Sequence, residues 1–351
     1  MIMPHFFVAV VGIEGIFPTF VINCQESILN LMKNIKHIIA AELDEFERKF
    51  ADNVKGSNPL LDRIMRFIIR RKGKQMRPMF VFLAARIAGG VTDTTYRAAS
   101  LIELLHTATL VHDDVVDNAM VRRNFFSINA LWKNKIAVLV GDYLLAKGLL
   151  LSVEHKDYKI LEITSRAVRE ISEGELLQME KARKLDIRED IYFEIIRAKT
   201  ASLLSAACAA GAWSVAGDEQ MTELFRVFGE KVGIAFQIRD DLFDYGLDNI
   251  GKPTGIDIKE KKMTLPLIYT LQHADPATRR KIIYIVKNQS TDRKKVDEVI
   301  GLVQASGGIA YATEKMKQYQ QEAIDLLHTC PDTPERRAME ELVRFVIERK
   351  H

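Results

Sequence analysis

Asp113, Asp114 and Asp117 stand at positions i, i+1 and i+4, and Asp240, Asp241 and Asp244 repeat that spacing. Each group closes an apolar run, residues 101–111 before the first and residues 233–238 before the second. On a helix the first and last members of a group lie one turn apart, so their carboxylates share a face. Like charges at that spacing repel, and beside an apolar core the cost rises. A hard divalent cation such as Mg2+ removes both penalties. It takes carboxylate oxygens and keeps positions open for water or a substrate phosphate. One such group is equally consistent with a solvated helix end. Two groups far apart in sequence point to a metal cluster shared across a helix bundle.

Basic residues gather in further stretches. Residues 70–78, RRKGKQMRP, set five basic side chains beside one glycine. Arginine forks and lysine point charges both bind phosphate, although such a run alone also suits a solvated turn. Arg122 and Arg123 follow the first acid group, and residues 251–266, GKPTGIDIKEKKMTLP, follow the second. Glycine there permits close backbone approach, and lysine supplies charge.

Taken together, the motifs resemble those of the trans-isoprenyl diphosphate (polyprenyl) synthases. That family carries two aspartate-rich DDxxD motifs, and the likeness runs from about Leu43 to the C-terminus. The family's G-K-x-x-R-P motif is met by Gly73, Lys74, Arg77 and Pro78. Its R-R-G becomes Arg122-Arg123-Asn124, and asparagine is the next best residue for a left-handed turn. Gly174, Glu175 and Gln178, the Lys199-Thr200 pair, the Phe236-Gln237 pair and the loop from Gly251 through Lys262 to Pro266 continue it in order.

The resemblance implies roles. Asp113, Asp114, Asp117, Asp240, Asp241 and Asp244 would hold Mg2+, about three ions per site. Lys74, Arg77, His106, Arg123 and Gln237 would hold isopentenyl diphosphate. Arg122, Lys199, Thr200, Lys252 and Lys262 would serve the allylic diphosphate. Its C–O bond would ionise while metal and cations stabilise the departing diphosphate, and the double bond of isopentenyl diphosphate would attack the allylic cation. The released diphosphate would take the proton. His112 carries no such role and is assigned to structure.

These groups need long helices to position them. Apolar residues recur at helical spacing almost throughout, and strand-like alternation is nearly absent. Turn signals fall at 56–59, 89–90, 216–218, 245–255, 274–276, 307–308 and 330–334. The expectation is an all-α bundle of the isoprenoid synthase type around a central cavity, one domain over residues 32–351. Residues 1–31 are apolar but broken by Gly12, Glu14, Gly15 and Pro18. They suit neither a signal peptide nor a membrane span and are expected to lie outside the fold.

Composition narrows the class. The chain has 351 residues, 48% of them hydrophobic, enough for a sizeable core. A net charge of +3 leaves no nucleic-acid footprint. The three cysteines lack metal or disulfide spacing and suit a reducing cytoplasm. The family pairs as homodimers through helices near the first acid motif, so a cytoplasmic homodimer is expected, with membrane contact only through a greasy product.

Chain length enters last. Leu105, Ala108 and Thr109 lie one and two turns before Asp113, beside the path of a growing prenyl chain. Short-chain family members commonly place a bulky aromatic residue four or five positions before the first Asp. Here those positions are Thr109 and Ala108, which implies a product beyond geranylgeranyl, suited to a quinone side chain. The alternatives are a short-chain farnesyl or geranylgeranyl synthase, a class I terpene cyclase and a non-catalytic partner subunit. The G-K-x-x-R-P match and the second acid motif count against the cyclase, and the intact set of acids and cations counts against the subunit.

Overall fold

The computed structural model describes residues 35, 37–56, 58–70, 75–122, 125–184, 188–246 and 254–348. The segment before Met32, with Lys74, Arg123 and Lys252, lies outside them.

Helix α8 (Ser202–Ala216) sits at the centre. Its sequence, SLLSAACAAGAWSVA, is short in side-chain volume, so neighbouring helices approach closely. A Cβ at Gly211 would stand 2.3 Å from the carbonyl oxygen of Val81, and one at Gly229 would stand 2.7 Å from the Leu204 backbone oxygen. Around α8 pack α3 (Met76–Ala88), α4 (Asp93–Val116), α6 (Tyr158–Lys184) and α9 (Glu219–Phe243). Between α1 (Ala40–Asn53) and α3 runs α2 (Pro59–Arg70), and α5 (Ile128–Glu154) lies along α4. A two-residue antiparallel hairpin, β1 (Val121–Arg122) with β2 (Phe125–Phe126), links α4 to α5.

Next come α7 (Glu189–Ile196) and a π-helical turn, Arg197–Ala201, that leads into α8. After α9 follow α10 (Ile256–Lys259), α11 (Leu265–His273), α12 (Pro276–Asn288), α13 (Arg293–Ala305), α14 (Gly308–Leu327) and α15 (Pro334–Glu348). The chain's punctuation explains the ends. Asp218, Asp275 and Asp292 cap α9, α12 and α13 by accepting from backbone N–H groups. Gly217 and Gly307 take left-handed conformations at the expected turns.

One cluster of buried apolar side chains runs from Ile35 to Ile347, joining residues near both ends. A smaller cluster joins α2, α4 and α5 through Ile64, Met65, Leu104, Ala108, Val140 and Leu144. The all-helical expectation stands, and the hairpin is the only strand pairing among the described residues. Cys208 and Cys330 are free and buried.

Candidate active site

The π turn gathers the site. Such turns widen a helix by one residue and re-aim its side chains. Lys199 and Thr200 sit on it. The turn packs tightly on α6, where a Cβ at Gly174 would meet Ala198 Cβ at 2.7 Å. That approach brings Lys199 Nζ onto the Glu175 carboxylate and within 3.3 Å of Gln178 Oε1. Thr200 Oγ1 donates to Gln237 Oε1 at 2.7 Å, and Gln237 Nε2 donates to Asp241 Oδ1 at 2.8 Å. Tyr192, on α7, completes the line by donating its hydroxyl to Asp241 Oδ2 at 2.7 Å.

These groups line a cleft of about 250 Å3 with Asp240, Asp257 and Lys262. Four segments converge there: α6, α7 with the π turn, the end of α9, and α10 with the residues that follow it. The last of these is held by Asp244, whose carboxylate accepts from the backbone N–H groups of Ile256 at 2.8 Å and Asp257 at 3.0 Å. Those bonds anchor the first turn of α10 and set Asp257 and Lys262 at the cleft, with Lys262 Nζ 2.6 Å from Glu260 and 3.6 Å from Asp257.

Acid crowding dominates the electrostatics. Burial, together with the charges of Asp257 and Asp240, pushes Asp241 up to about 8 despite the bonds from Gln237 and Tyr192. Burial pushes Asp257 up to about 6, with Lys262 opposing and Asp244 and Asp240 adding to the rise. Asp244 is raised by burial against its three backbone donors. Burial alone would lower Lys262, but Glu260 and Asp257 hold its ammonium well above the usual lysine range. A divalent cation reverses each carboxylate shift by stabilising the ionised form.

The six aspartates divide by environment. Asp114, Asp241 and Asp244 are buried, whereas Asp113 is half-buried and Asp117 and Asp240 are exposed. The first group stands at the end of α4, outside the lining of the 250 Å3 cleft. Among the described residues no three acidic, histidine or cysteine side chains converge into a complete metal cage.

The remaining expected residues take varied places. Arg77 is half-buried in the first turn of α3, and His106 is buried on α4, the helix that packs beside α3. Arg122 lies in β1. His112 packs against Gly141, where a Cβ would stand 2.1 Å from its Nε2, and approaches Asp142 at 3.4 Å. It braces α4 against α5, as its structural assignment implies. Leu105 belongs to the main core and Ala108 to the smaller cluster, both nearly inaccessible. Ala108 therefore already serves the close contact of α4 with α5. Thr109 is half-buried, one turn before Asp113 on the same face, with its hydroxyl bonded to the His106 carbonyl at 2.9 Å.

Tyr192 was not foreseen. The only sequence signal is its position seven residues, two helical turns, before Lys199. A tyrosine there is equally an ordinary core residue until Asp241 is seen beside it.

Comparison with known proteins identifies the family. The chain is 35% identical over 325 residues to an all-trans-nonaprenyl-diphosphate synthase (geranyl-diphosphate specific) of Rhodobacter capsulatus, covering 92% of this chain and 99% of that one. The crystal structure of a decaprenyl diphosphate synthase from Rhodobacter capsulatus superposes with a TM-score of 0.86 at 33% identity, covering 90% of this chain and 98% of the other. A geranylgeranyl pyrophosphate synthase from Bacteroides thetaiotaomicron gives a TM-score of 0.78 at 38% identity, with 91% and 100% coverage. Residues 58–303 match the sequence profile of the polyprenyl synthetase family. The chain is therefore a prenyltransferase that belongs to the polyprenyl synthetase family.

Proposed function

We propose that this prenyltransferase condenses isopentenyl diphosphate with an allylic diphosphate to make a trans-polyprenyl diphosphate longer than geranylgeranyl, suited to a quinone side chain. The observation that carries the reading is the convergence of Lys199, Thr200, Gln237, Asp240 and Lys262 on one acid-crowded cleft. The names of the nonaprenyl and decaprenyl synthases support the longer product. So does the small Thr109 one turn below Asp113.

Asp113, Asp117 and Asp240 would hold Mg2+, with Asp114, Asp241 and Asp244 fixing the elements that carry them. Bound Mg2+ supplies positive charge against the diphosphate that leaves. Lys199, Lys252, Lys262 and Arg122 stabilise the same charge, so the allylic C–O bond ionises. Lys199 exchanges Glu175 for a phosphate oxygen as substrate enters. Lys74, Arg77, His106 and Arg123 hold isopentenyl diphosphate, and Gln237, fixed by Thr200 and Asp241, faces its alkene. Orientation makes attack on the allylic carbon effectively unimolecular. The released diphosphate takes the proton, and α10 with the residues that follow it keeps water from the cation.

The working unit is a cytoplasmic homodimer, and the catalytic chain begins near Met32. The support for a dimer is α5. It is the one described helix long and apolar enough to cross a bilayer. One side packs on α4, while Val138, Leu139, Leu149, Leu150 and Val153 are exposed along the other. A second copy of that face covers them.

A short-chain product is the second reading, favoured by the 38% identity to the geranylgeranyl synthase. Radiolabelled isopentenyl diphosphate, supplied with several allylic primers and with or without chelator, decides between them. Dephosphorylated products longer than geranylgeranyl, formed only with divalent metal, are expected. A distribution that stops at geranylgeranyl supports the second reading, and no condensation from any primer overturns both.

A further inference from the structure

A groove between α2 and the first turn of α5 has no part in the chemistry above. It encloses about 680 Å3. Asp62, Arg63, Arg66, Phe67 and Arg70 line it from α2, and Leu131 and Trp132 from α5. The arginines recur at i, i+3 and i+7, so they form a row along one helix face, and all three are exposed. Arg66 pairs with Asp62 at 2.5 Å, while Arg63 and Arg70 make no hydrogen bond or ion pair among the described residues. Phe67 and Trp132 meet edge to face at 4.9 Å, which stiffens the apolar wall.

Exposed apolar side chains continue from that wall. Leu131 is 43% exposed and Leu60 47%. The hairpin that leads into α5 shows Met120, Val121, Phe125 and Phe126, each at least 50% exposed. Beside Trp132, Lys133 holds φ 73 and ψ 158, a conformation that favours glycine, yet an exposed lysine stands there. The surface thus sets unpartnered cations directly beside exposed hydrophobes.

We propose that this groove and hairpin dock the protein on a membrane surface that carries anionic phospholipids. Headgroup phosphates take the arginine row, and Leu131 with the hairpin aromatics meets the acyl boundary. A soluble phosphate ester would use the arginines and leave the apolar half bare, so charge and hydrophobicity together select lipid. The inference rests on the long-chain reading in one respect: a polyprenyl product partitions into lipid, and docking places its exit at the bilayer.

Flotation with vesicles tests it without substrate. Wild type is expected to float with phosphatidylcholine mixed with phosphatidylglycerol, not with phosphatidylcholine alone, and high salt releases it. The double variant Arg63→Gln/Arg66→Gln lowers partition about thirtyfold, since each cation near such a surface contributes comparably. The same double change at Arg279 and Arg280, exposed on α12, has a smaller effect. Prenyl transfer in detergent and light scattering accompany each variant, so a wrong product assignment is read apart from docking. Absent flotation, equal binding to both vesicle types, or an undiminished Arg63→Gln/Arg66→Gln overturns the proposal. Displacement by millimolar inorganic diphosphate at constant ionic strength would assign the row to a soluble anion. A change of oligomeric state in the variant would assign the groove to contact between copies, and either result overturns it.

Discussion

At the end of α4, Asp113 is half-buried and Asp117 exposed, with only Asp114 turned inward. At the end of α9 the balance is reversed. Asp241 is fixed by Gln237 and Tyr192, Asp244 by the backbone of α10, and Asp240 alone faces solvent. Equal spacing therefore serves unequal purposes. The first group offers a pair of carboxylates one turn apart. The second exposes one carboxylate and ties the other two to Gln237, Tyr192 and the backbone of α10. A carboxylate that accepts from backbone and side-chain donors has fewer lone pairs left for a metal, so position in a motif does not by itself make a ligand.

The strongest way to break this comparison is to remove one acid at a time. Asp113→Ala and Asp240→Ala are expected to lower turnover by about three orders of magnitude or more, since each removes charge that balances the leaving diphosphate. Circular dichroism should remain helical. Asp244→Ala is expected to cost thermal stability as well, because the N–H groups of Ile256 and Asp257 lose their acceptor. Steady-state rates with saturating Mg2+, set beside melting curves, check this. Equal stability loss in all three variants would erase the distinction between ligand and tied-down acid.

Next in size are the cations. Lys199→Ala and Lys262→Ala should reduce kcat by about a hundredfold, the scale of one lost group on developing charge. Arg77→Ala should mainly raise KM for isopentenyl diphosphate. Initial rates with each substrate varied in turn separate the two patterns. A common rise in one KM across all three contradicts the division.

Product length sharpens the α4 side. Thr109→Phe projects a ring from the face that carries Asp113 and should shorten the product while turnover persists. Ala108→Phe instead enters the packed cluster with Val140 and Leu144 and costs about 1–3 kcal/mol of stability. Chromatography of dephosphorylated products, with melting curves, tests the pair. An unchanged distribution in Thr109→Phe removes that residue from the path of the chain.

The smallest effect concerns pH on the α9 side. An unfolded Asp releases its proton near 3.8, whereas folded Asp241 keeps its proton up to about 8. Between those values the folded state binds more protons, so this residue makes stability fall as pH rises. Asp257 adds a similar contribution over the narrower window up to about 6. In metal-free protein the melting temperature of Asp241→Asn should gain on wild type as pH climbs from 5 to 8. Reorientation of Gln237 lets the new amide keep its bonds to Gln237 and Tyr192. A difference that stays flat with pH would mean that Asp241 is ionised throughout, and added Mg2+ should shrink it.

The sequence by itself determined a great deal here. Helical periodicity, capping aspartates and Gly/Pro turns are local properties, so the all-helical bundle follows from neighbours along the chain. The acid and basic motifs are legible for the same reason: their spacing is set by the helix repeat, as with Asp113 and Asp117, or by short loops. The tertiary structure decided which acids face outward. Asp241 and Asp244 are tied down because Tyr192 and the N–H groups of Ile256 and Asp257 arrive from segments 12 to 49 residues away. It also decided that Ala108 packs on α5 while Thr109 lies beneath Asp113, and that Gly174 lets α6 close on a π turn. Burial and hydrogen-bond partnership depend on what other segments bring to a residue, and no spacing within one motif encodes that.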